Sequence, residues 1–262
     1  MSRAGSPPIG KCTAWGASYA DGVDHATQLC DEITAFADVV FGADLATPVP
    51  TCPEWTLNQL YRHVGRGIRW AARNVTNRLD GPADPKTVPD GKPPAEPEAA
   101  RQWVIDGAQV LLAAVAKAGP DTEVWTFGGP RPAAWWVRRW THEVAVHRAD
   151  AAIAVGADFT LAPEWAADAL SEWFDLLTPR LAELGSKTVH LHATDEGLGQ
   201  AGEWTLRDGT WRHEHGKGDV ALRGPATELL LVTTRRRPVE QTAIQVFGDD
   251  DVLRAWSDAM TL

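Results

Sequence analysis

Apolar positions in the first part of the chain recur every three or four residues, the period of an amphipathic helix. Between residues 24 and 41 this face consists of Leu29, Ile33, Phe36 and Val40. A second helix is predicted after Thr56, a suitable N-cap, with an apolar face of Leu57, Leu60, Val64, Ile68, Ala71 and Val75. Further helices are predicted over 98–118, across 138–150 and just after Pro163. Four or five helices indicate a helical bundle.

The pattern changes after Gly185 to an alternation of period two, interrupted by Gly and Asp-Gly turns. The segments KTVHLHAT, GEWTLRDG, TWRHEH and GDVALRG therefore predict an antiparallel sheet. Two further helices, PATELLLVTT and DDDVLRAWSDAM, flank a last strand, AIQVFG. The predicted fold class is α+β, with a flexible tail at 1–20, a helical bundle at 21–185 and a small α/β domain at 186–262.

Charge and hydropathy narrow the range of partners. The 35 acidic and 25 basic side chains give a formal charge of −10, which opposes nucleic acid and anionic membrane surfaces. No stretch approaches the roughly 20 apolar residues of a membrane-spanning helix. The first twenty residues lack the continuous apolar core of a secretory signal, so we expect a cytoplasmic protein with a small-molecule partner.

The segment RRWTHEVAVHRAD, residues 138–150, contains the candidate chemistry. His142 and His147 are five residues apart, so on a helix they point about 140° away from each other. The zinc-peptidase signature needs histidines four apart and is therefore excluded. Glu143 and His147 do have this spacing, and they share a helix face that is otherwise apolar.

An ionised carboxylate on an apolar face needs a compensating partner. Glu143 and His147 alone could form a hydrogen-bonded pair. Alternatively they bind a divalent metal together with a third ligand, for which His63, at the border of the second helix's apolar face, is the candidate. A single histidine at this position is also typical of the boundary between a buried and an exposed helix face. Two histidines and one carboxylate are the set that leaves a metal position open.

Two segments carry a family resemblance: VPTCPEWTLNQLYRHVG and WTFGGPRPAAWWVRRWTHEVAVHRADAAIAVG. They resemble the hallmark segments of the mycothiol-dependent maleylpyruvate isomerase family, actinobacterial members of the DinB-like metal-binding bundles. The later segments LHATDEGLGQAGEWTL, VALRGPATELLLVTTRRRP and VFGDDDVLRAW resemble, more weakly, that family's sterol-carrier-like C-terminal domain.

The resemblance implies a site and a reaction. In the family, the residues matching His63, Glu143 and His147 hold a divalent metal, usually zinc, and the arginine matching Arg223 faces the active site. Mycothiol is the implied thiol cosubstrate: the metal lowers the pKa of a thiol and the thiolate attacks a small electrophile. The reaction is then either cis–trans isomerisation of a maleylpyruvate-type substrate or thiol S-transfer.

Several residues keep two interpretations. Arg66, Arg69 and Arg73 either bind a dicarboxylate substrate or form a solvated helix side, and Arg223 is either catalytic or an exposed strand-end residue. Trp135, Trp136 and Trp140 either line a pocket or fill the core. The alternatives to a thiol-dependent enzyme are a non-catalytic protein that binds thiol, metal or an apolar ligand, and a metal-dependent hydrolase.

Overall fold

The computed structural model describes residues 24–78 and 80–261. The predicted flexible tail, residues 1–20, lies outside this range. Contacts divide the chain into two compact units, the first formed by residues up to Thr47 together with Trp55–Arg148, and the second by Pro48–Glu54 and Ala149–Leu262. The predicted domain boundary at 185/186 stays a prediction, and the contacts group residues 163–181 with the second unit.

The first unit is built from helices. They are α1 (His25–Phe41), α2 (Leu57–Asn77), α3 (Pro97–Ala118) and α4 (Trp135–Val155), of which α4 continues beyond the unit's last residue, and a short hairpin pairs β1 (Glu123–Val124) with β2 (Arg131–Pro132). The predicted apolar faces of α1 and α2 are fully buried. Thr56 is the N-cap of α2, and its backbone N–H donates to Oε1 of Gln59 in a capping box.

Contacts between specific side chains fix the packing of this bundle. A Cβ on Gly67 of α2 would come within 2.3 Å of the Trp140 ring of α4, so glycine permits the close approach of these two helices. Helix α4 is also tied to α1, because Nε of Arg148 donates to Oε2 of the buried Glu32 over 2.7 Å. The two helices that carry the candidate ligands are therefore closely packed.

The second unit combines a mixed sheet with three helices. Its helices are α5 (Pro163–Leu181), α6 (Ala226–Thr233) and α7 (Asp250–Ala259). Its strands are β3 (Val189–Ala193), β4 (Glu203–Arg207), β5 (Thr210–Arg212), β6 (Val220–Gly224) and β7 (Gln245–Gly248), in the order β5-β4-β3-β6-β7. Each of the segments predicted to be a strand forms one.

One strand pairing departs from the prediction of an antiparallel sheet. The pairs β3/β4, β4/β5 and β6/β7 are antiparallel, but β3 and β6 run parallel. The hairpin β4–β5 turns on Asp208 and Gly209, both with positive φ, as an Asp-Gly turn requires. The segment after β5 leads to β6, which pairs with the other edge of β3. No turn motif in the sequence predicts this connection.

The sheet has two chemically different faces because side chains alternate along each strand. One face is apolar and buried, with Val189, Leu191, Trp204, Leu206, Val220 and Leu222 at full burial. The other face of β3 carries His190 and His192, and the register places them opposite Thr205 and Glu203 of β4. Within the described ranges, no helix is long and apolar enough to span a membrane.

Candidate functional site

Helices α2 and α4 bring the three predicted ligands together. Oε1 of Glu143 lies 3.2 Å from Nε2 of His147 on the same helix and 3.4 Å from Nε2 of His63 on α2. The imidazole rings of His63 and His147 meet edge to face, with centroids 4.9 Å apart. The spacing of four residues places Glu143 and His147 one helical turn apart, and the packing of α2 on α4 brings His63 to them.

Arg139 holds the carboxylate in place from one turn earlier on α4. Its guanidinium donates to Oε2 of Glu143, which leaves Oε1 directed at the two histidines. Burial alone raises the pKa of Glu143, but Arg139 and the hydrogen bonds with His147 and His63 outweigh burial, so the pKa lies well below its ordinary value. The carboxylate is therefore ionised at neutral pH.

The donor set fits a divalent metal of the zinc type. For bond lengths of about 2.0 to 2.2 Å, tetrahedral ligand atoms lie about 3.3 to 3.6 Å apart. The observed separations of 3.2 and 3.4 Å are close to this range, and the three donor atoms lie within 4.8 Å of one another. Two imidazoles and one carboxylate oxygen leave a coordination position for a further ligand.

A cavity of about 430 Å³ adjoins His63. The side chain of His63 is 39% exposed, whereas that of His147 is 8% exposed, so the group is accessible from the α2 side. The residues lining the cavity are Trp55, Gln59, Arg62, His63, Arg66, Gly67, Trp70 and Pro85. The cavity thus combines two guanidinium groups with aromatic surface, a lining suited to an anionic or amphipathic small molecule.

The three arginines predicted on the second helix have different surroundings. Arg66 lines the cavity, where its Nε also donates to the carbonyl of Gly91. Arg69 is buried, donates to the Trp103 carbonyl over 2.7 Å and stacks on the Trp103 ring, so it packs α2 against α3. Arg73 is not among the lining residues. Arg62, which was not predicted, does line the cavity; its signal is its position next to His63.

The tryptophans predicted near the site divide between core and surface. Trp136 and Trp140 are buried, as in the core interpretation, and Trp135 is partly exposed. Trp70, which also lines the cavity, stacks on Phe127 with ring centroids 5.8 Å apart. Phe127 is 61% exposed, so an accessible aromatic surface continues from the cavity wall.

The other predicted residues lie elsewhere. His142 is buried and its ring meets that of His25 edge to face, so it faces away from the Glu143 group, as its spacing predicts. Arg223 is an exposed residue of β6 in the second unit, where Nη1 donates to Gln245. Arg223 as an active-site residue stays a prediction.

Comparison with known proteins decides the family. A family model described as the mycothiol maleylpyruvate isomerase N-terminal domain matches residues 26–152, and one for the C-terminal domain of the same isomerases matches residues 164–255. The chain belongs to the mycothiol-dependent maleylpyruvate isomerase family. The resemblance noted in the sequence is thereby confirmed.

Solved structures of this family share the fold. The crystal structure of the mycothiol-dependent maleylpyruvate isomerase aligns with a TM-score of 0.55 and 14% identity, covering 85% of this chain and 91% of that one. A mutant of the isomerase aligns with a TM-score of 0.52 and 15% identity, covering 81% and 88%. No curated protein sequence matches the chain significantly.

Proposed function

We propose that this member of the family is a divalent-metal enzyme that uses mycothiol as a thiol cosubstrate and acts on a small electrophile. The observation that carries the proposal is the open donor set of His63, Glu143 and His147 beside a cavity with two arginines. A bound zinc ion lowers the pKa of a thiol and so supplies a thiolate at neutral pH.

The protein residues have separate roles in this proposal. His63, Glu143 and His147 hold the ion, and Arg139 orients Glu143 by binding its second oxygen. This positioning keeps one carboxylate oxygen directed at both imidazoles. The proposed enzyme is thus preorganised before the ion or thiol arrives.

The cavity would supply recognition. Arg62 and Arg66 present guanidinium groups from successive turns of α2, and a guanidinium binds a carboxylate by two parallel hydrogen bonds. A maleylpyruvate-type substrate carries two carboxylates, which favours cis–trans isomerisation as the first candidate reaction. Arg223 is proposed as a further substrate-binding arginine on the strength of the resemblance alone.

The aromatic surface favours a second candidate. Trp70 and the exposed Phe127 extend the cavity wall with apolar area that a small dicarboxylate does not need. An apolar electrophile that accepts the thiolate permanently would use it, and the reaction would then be thiol S-transfer.

Mass spectrometry separates the two candidates. Zinc-loaded protein is incubated with mycothiol and either maleylpyruvate or an apolar electrophile, with protein-free and thiol-free controls. An isomer of unchanged mass, formed only with both protein and thiol, supports isomerisation, and a stable thiol conjugate supports S-transfer. Product formation that does not require mycothiol would contradict the proposal and favour a metal-dependent hydrolase or another activity. No turnover in either assay would favour a non-catalytic binding protein.

A further inference from the structure

A second group of potential ligands lies in the C-terminal unit. His190, His192, Glu203 and His215 each offer one donor atom, and these atoms all lie within 4.8 Å of one another. Oε2 of Glu203 is 2.7 Å from Nδ1 of His215 and 3.2 Å from Nε2 of His190, while Oε1 is 3.7 Å from Nδ1 of His192. We propose that these four residues form a second divalent transition-metal site, separate from that of the helical unit.

The backbone explains why the donors converge. His190 and His192 are two residues apart on β3 and therefore project from the same face of the sheet. The antiparallel register sets Glu203 of β4 opposite His192. His215 comes from the segment between β5 and β6, which crosses the same face: the carbonyl of Glu214 in this segment accepts a hydrogen bond from Thr205.

The hydrogen bonds around His190 determine which ring nitrogen carries a proton. The Thr205 hydroxyl has one hydrogen, which it donates to the carbonyl of Glu214 over 3.0 Å. Its contact of 3.1 Å with Nδ1 of His190 must then be a hydrogen bond donated by the imidazole. Neutral His190 consequently has its lone pair on Nε2, directed toward Glu203. A hydrogen bond of this kind on the opposite nitrogen is the usual support of a metal-binding histidine.

The environment of that nitrogen suits a cation. His190 is only 5% exposed, and its Nε2 makes no hydrogen bond although it lies 3.2 Å from a carboxylate oxygen. A lone pair and a carboxylate repel each other unless a positive charge lies between them.

The ring arrangement also suits an ion. The planes of the three imidazoles are mutually close to perpendicular, with interplanar angles of 87°, 82° and 84°, and their centroids are 5.6 to 6.4 Å apart. Three imidazole nitrogens and one carboxylate suit zinc and the neighbouring transition metals better than magnesium or calcium. Four protein donors complete a tetrahedral shell, so the site is of the structural kind and would fasten the His215 segment to the sheet.

The test measures metal binding at this site in a variant that lacks two ligands of the proposed catalytic site. The tag-free, chelator-stripped chain with both Glu143→Ala and His147→Ala is titrated with zinc, and with cobalt for its visible absorption. We expect about one equivalent to bind, as for a preformed structural site. Adding His192→Asn, at a half-buried position, and His215→Asn, at an exposed one, should weaken binding at least about 100-fold.

His213→Asn is the matched control in the same segment. Its Nδ1 bonds the backbone carbonyl of Glu203, a bond that the asparagine amide can replace, and its ring is outside the cluster. Zinc binding should therefore persist. The proposal would be overturned if the Glu143→Ala, His147→Ala variant took up no zinc. It would also be overturned if zinc uptake were equal with and without His192 and His215. If the Glu143→Ala, His147→Ala variant does not fold, the test is made on the native chain. That chain should bind about two ions, and the double substitution His192→Asn, His215→Asn should remove about one of them.

Discussion

The two histidine-carboxylate groups of this protein differ in what surrounds their carboxylates. In the helical unit, Glu143 forms an ion pair with Arg139 and faces two imidazoles, one of which lines a cavity. In the sheet unit, Glu203 faces three imidazoles, and the four donor atoms lie within 4.8 Å of one another. A set of three donors with an open side is typical of catalytic metal sites, and a closed set of four is typical of structural ones. Under the two proposals, similar side chains thus serve reactivity in one unit and rigidity in the other.

Removing the carboxylate of the open site is expected to have the largest effect. Glu143→Ala removes the donor that both histidines share, so the helical site should lose its ion and turnover with mycothiol should fall by more than about 100-fold. Elemental analysis and the isomerisation assay measure the two effects. His142→Ala on the same helix is the control and should retain the metal; full metal retention by the Glu143 variant would instead argue against this ligand.

The role of Arg139 can be tested next. Arg139→Met leaves the carboxylate without its guanidinium partner, and we expect metal affinity to fall by about 10- to 100-fold, as for other partners of metal ligands. Loss of the positive charge raises the pKa of Glu143, so protons displace the metal at a higher pH than in the native protein.

Metal retention measured between pH 7 and pH 4 checks the direction of this change. The midpoint of release should move upward in the Arg139 variant. Arg131→Met, at an exposed strand position, is the control and should leave the midpoint unchanged. An unchanged midpoint in the Arg139→Met variant would show that the guanidinium does not position the ligand.

The cavity arginines should affect substrate binding more than metal binding. Arg62→Met removes one guanidinium from the cavity, and KM for a carboxylate substrate should rise by about 10-fold, corresponding to one lost charge-assisted hydrogen bond. Metal content should not change. Arg73→Met, on the same helix but away from the cavity lining, should leave both quantities unchanged; equal effects of the two substitutions would exclude a specific role for Arg62.

The smallest effect is expected from a change in the packing of α2 against α4, the two helices that carry the ligands. Gly67→Ala places a methyl group within 2.3 Å of the Trp140 ring, and overpacking of this kind costs about 1 to 3 kcal/mol. Thermal unfolding should report the loss, together with weaker metal binding as α2 moves away from α4. A Cβ at Gly128 meets no atom within 4 Å, so Gly128→Ala is the matched control.

Local periodicity predicted much of this fold because each helix or strand buries one continuous face. Leu29, Ile33, Leu60 and Ile68 are all fully buried on the faces where their spacing places them. The parallel pairing of β3 with β6 was not predictable in the same way, since it joins strands that are distant in sequence. The strand pattern alone gives the alternation of side chains but not the order of strands.

The candidate site shows the same limit. The pairing of Glu143 with His147 follows from their spacing, and Arg139, also four residues from Glu143, carries the same signal in the sequence. His63 requires knowledge of which helices are neighbours, which family resemblance supplied. In the sheet, the alternation places His190 and His192 together, but their meeting with His215 depends on an irregular segment whose path no periodicity describes.

Trp55 gives the helical site an optical reporter. Its ring lies against that of His63, with centroids 5.0 Å apart. The emission of an indole depends on the polar groups in contact with its ring. An ion bound by His63 should therefore change the emission of this tryptophan, and Trp55→Phe should abolish that response. Ligand occupancy could then be followed in solution, without isotopes or a coupled assay.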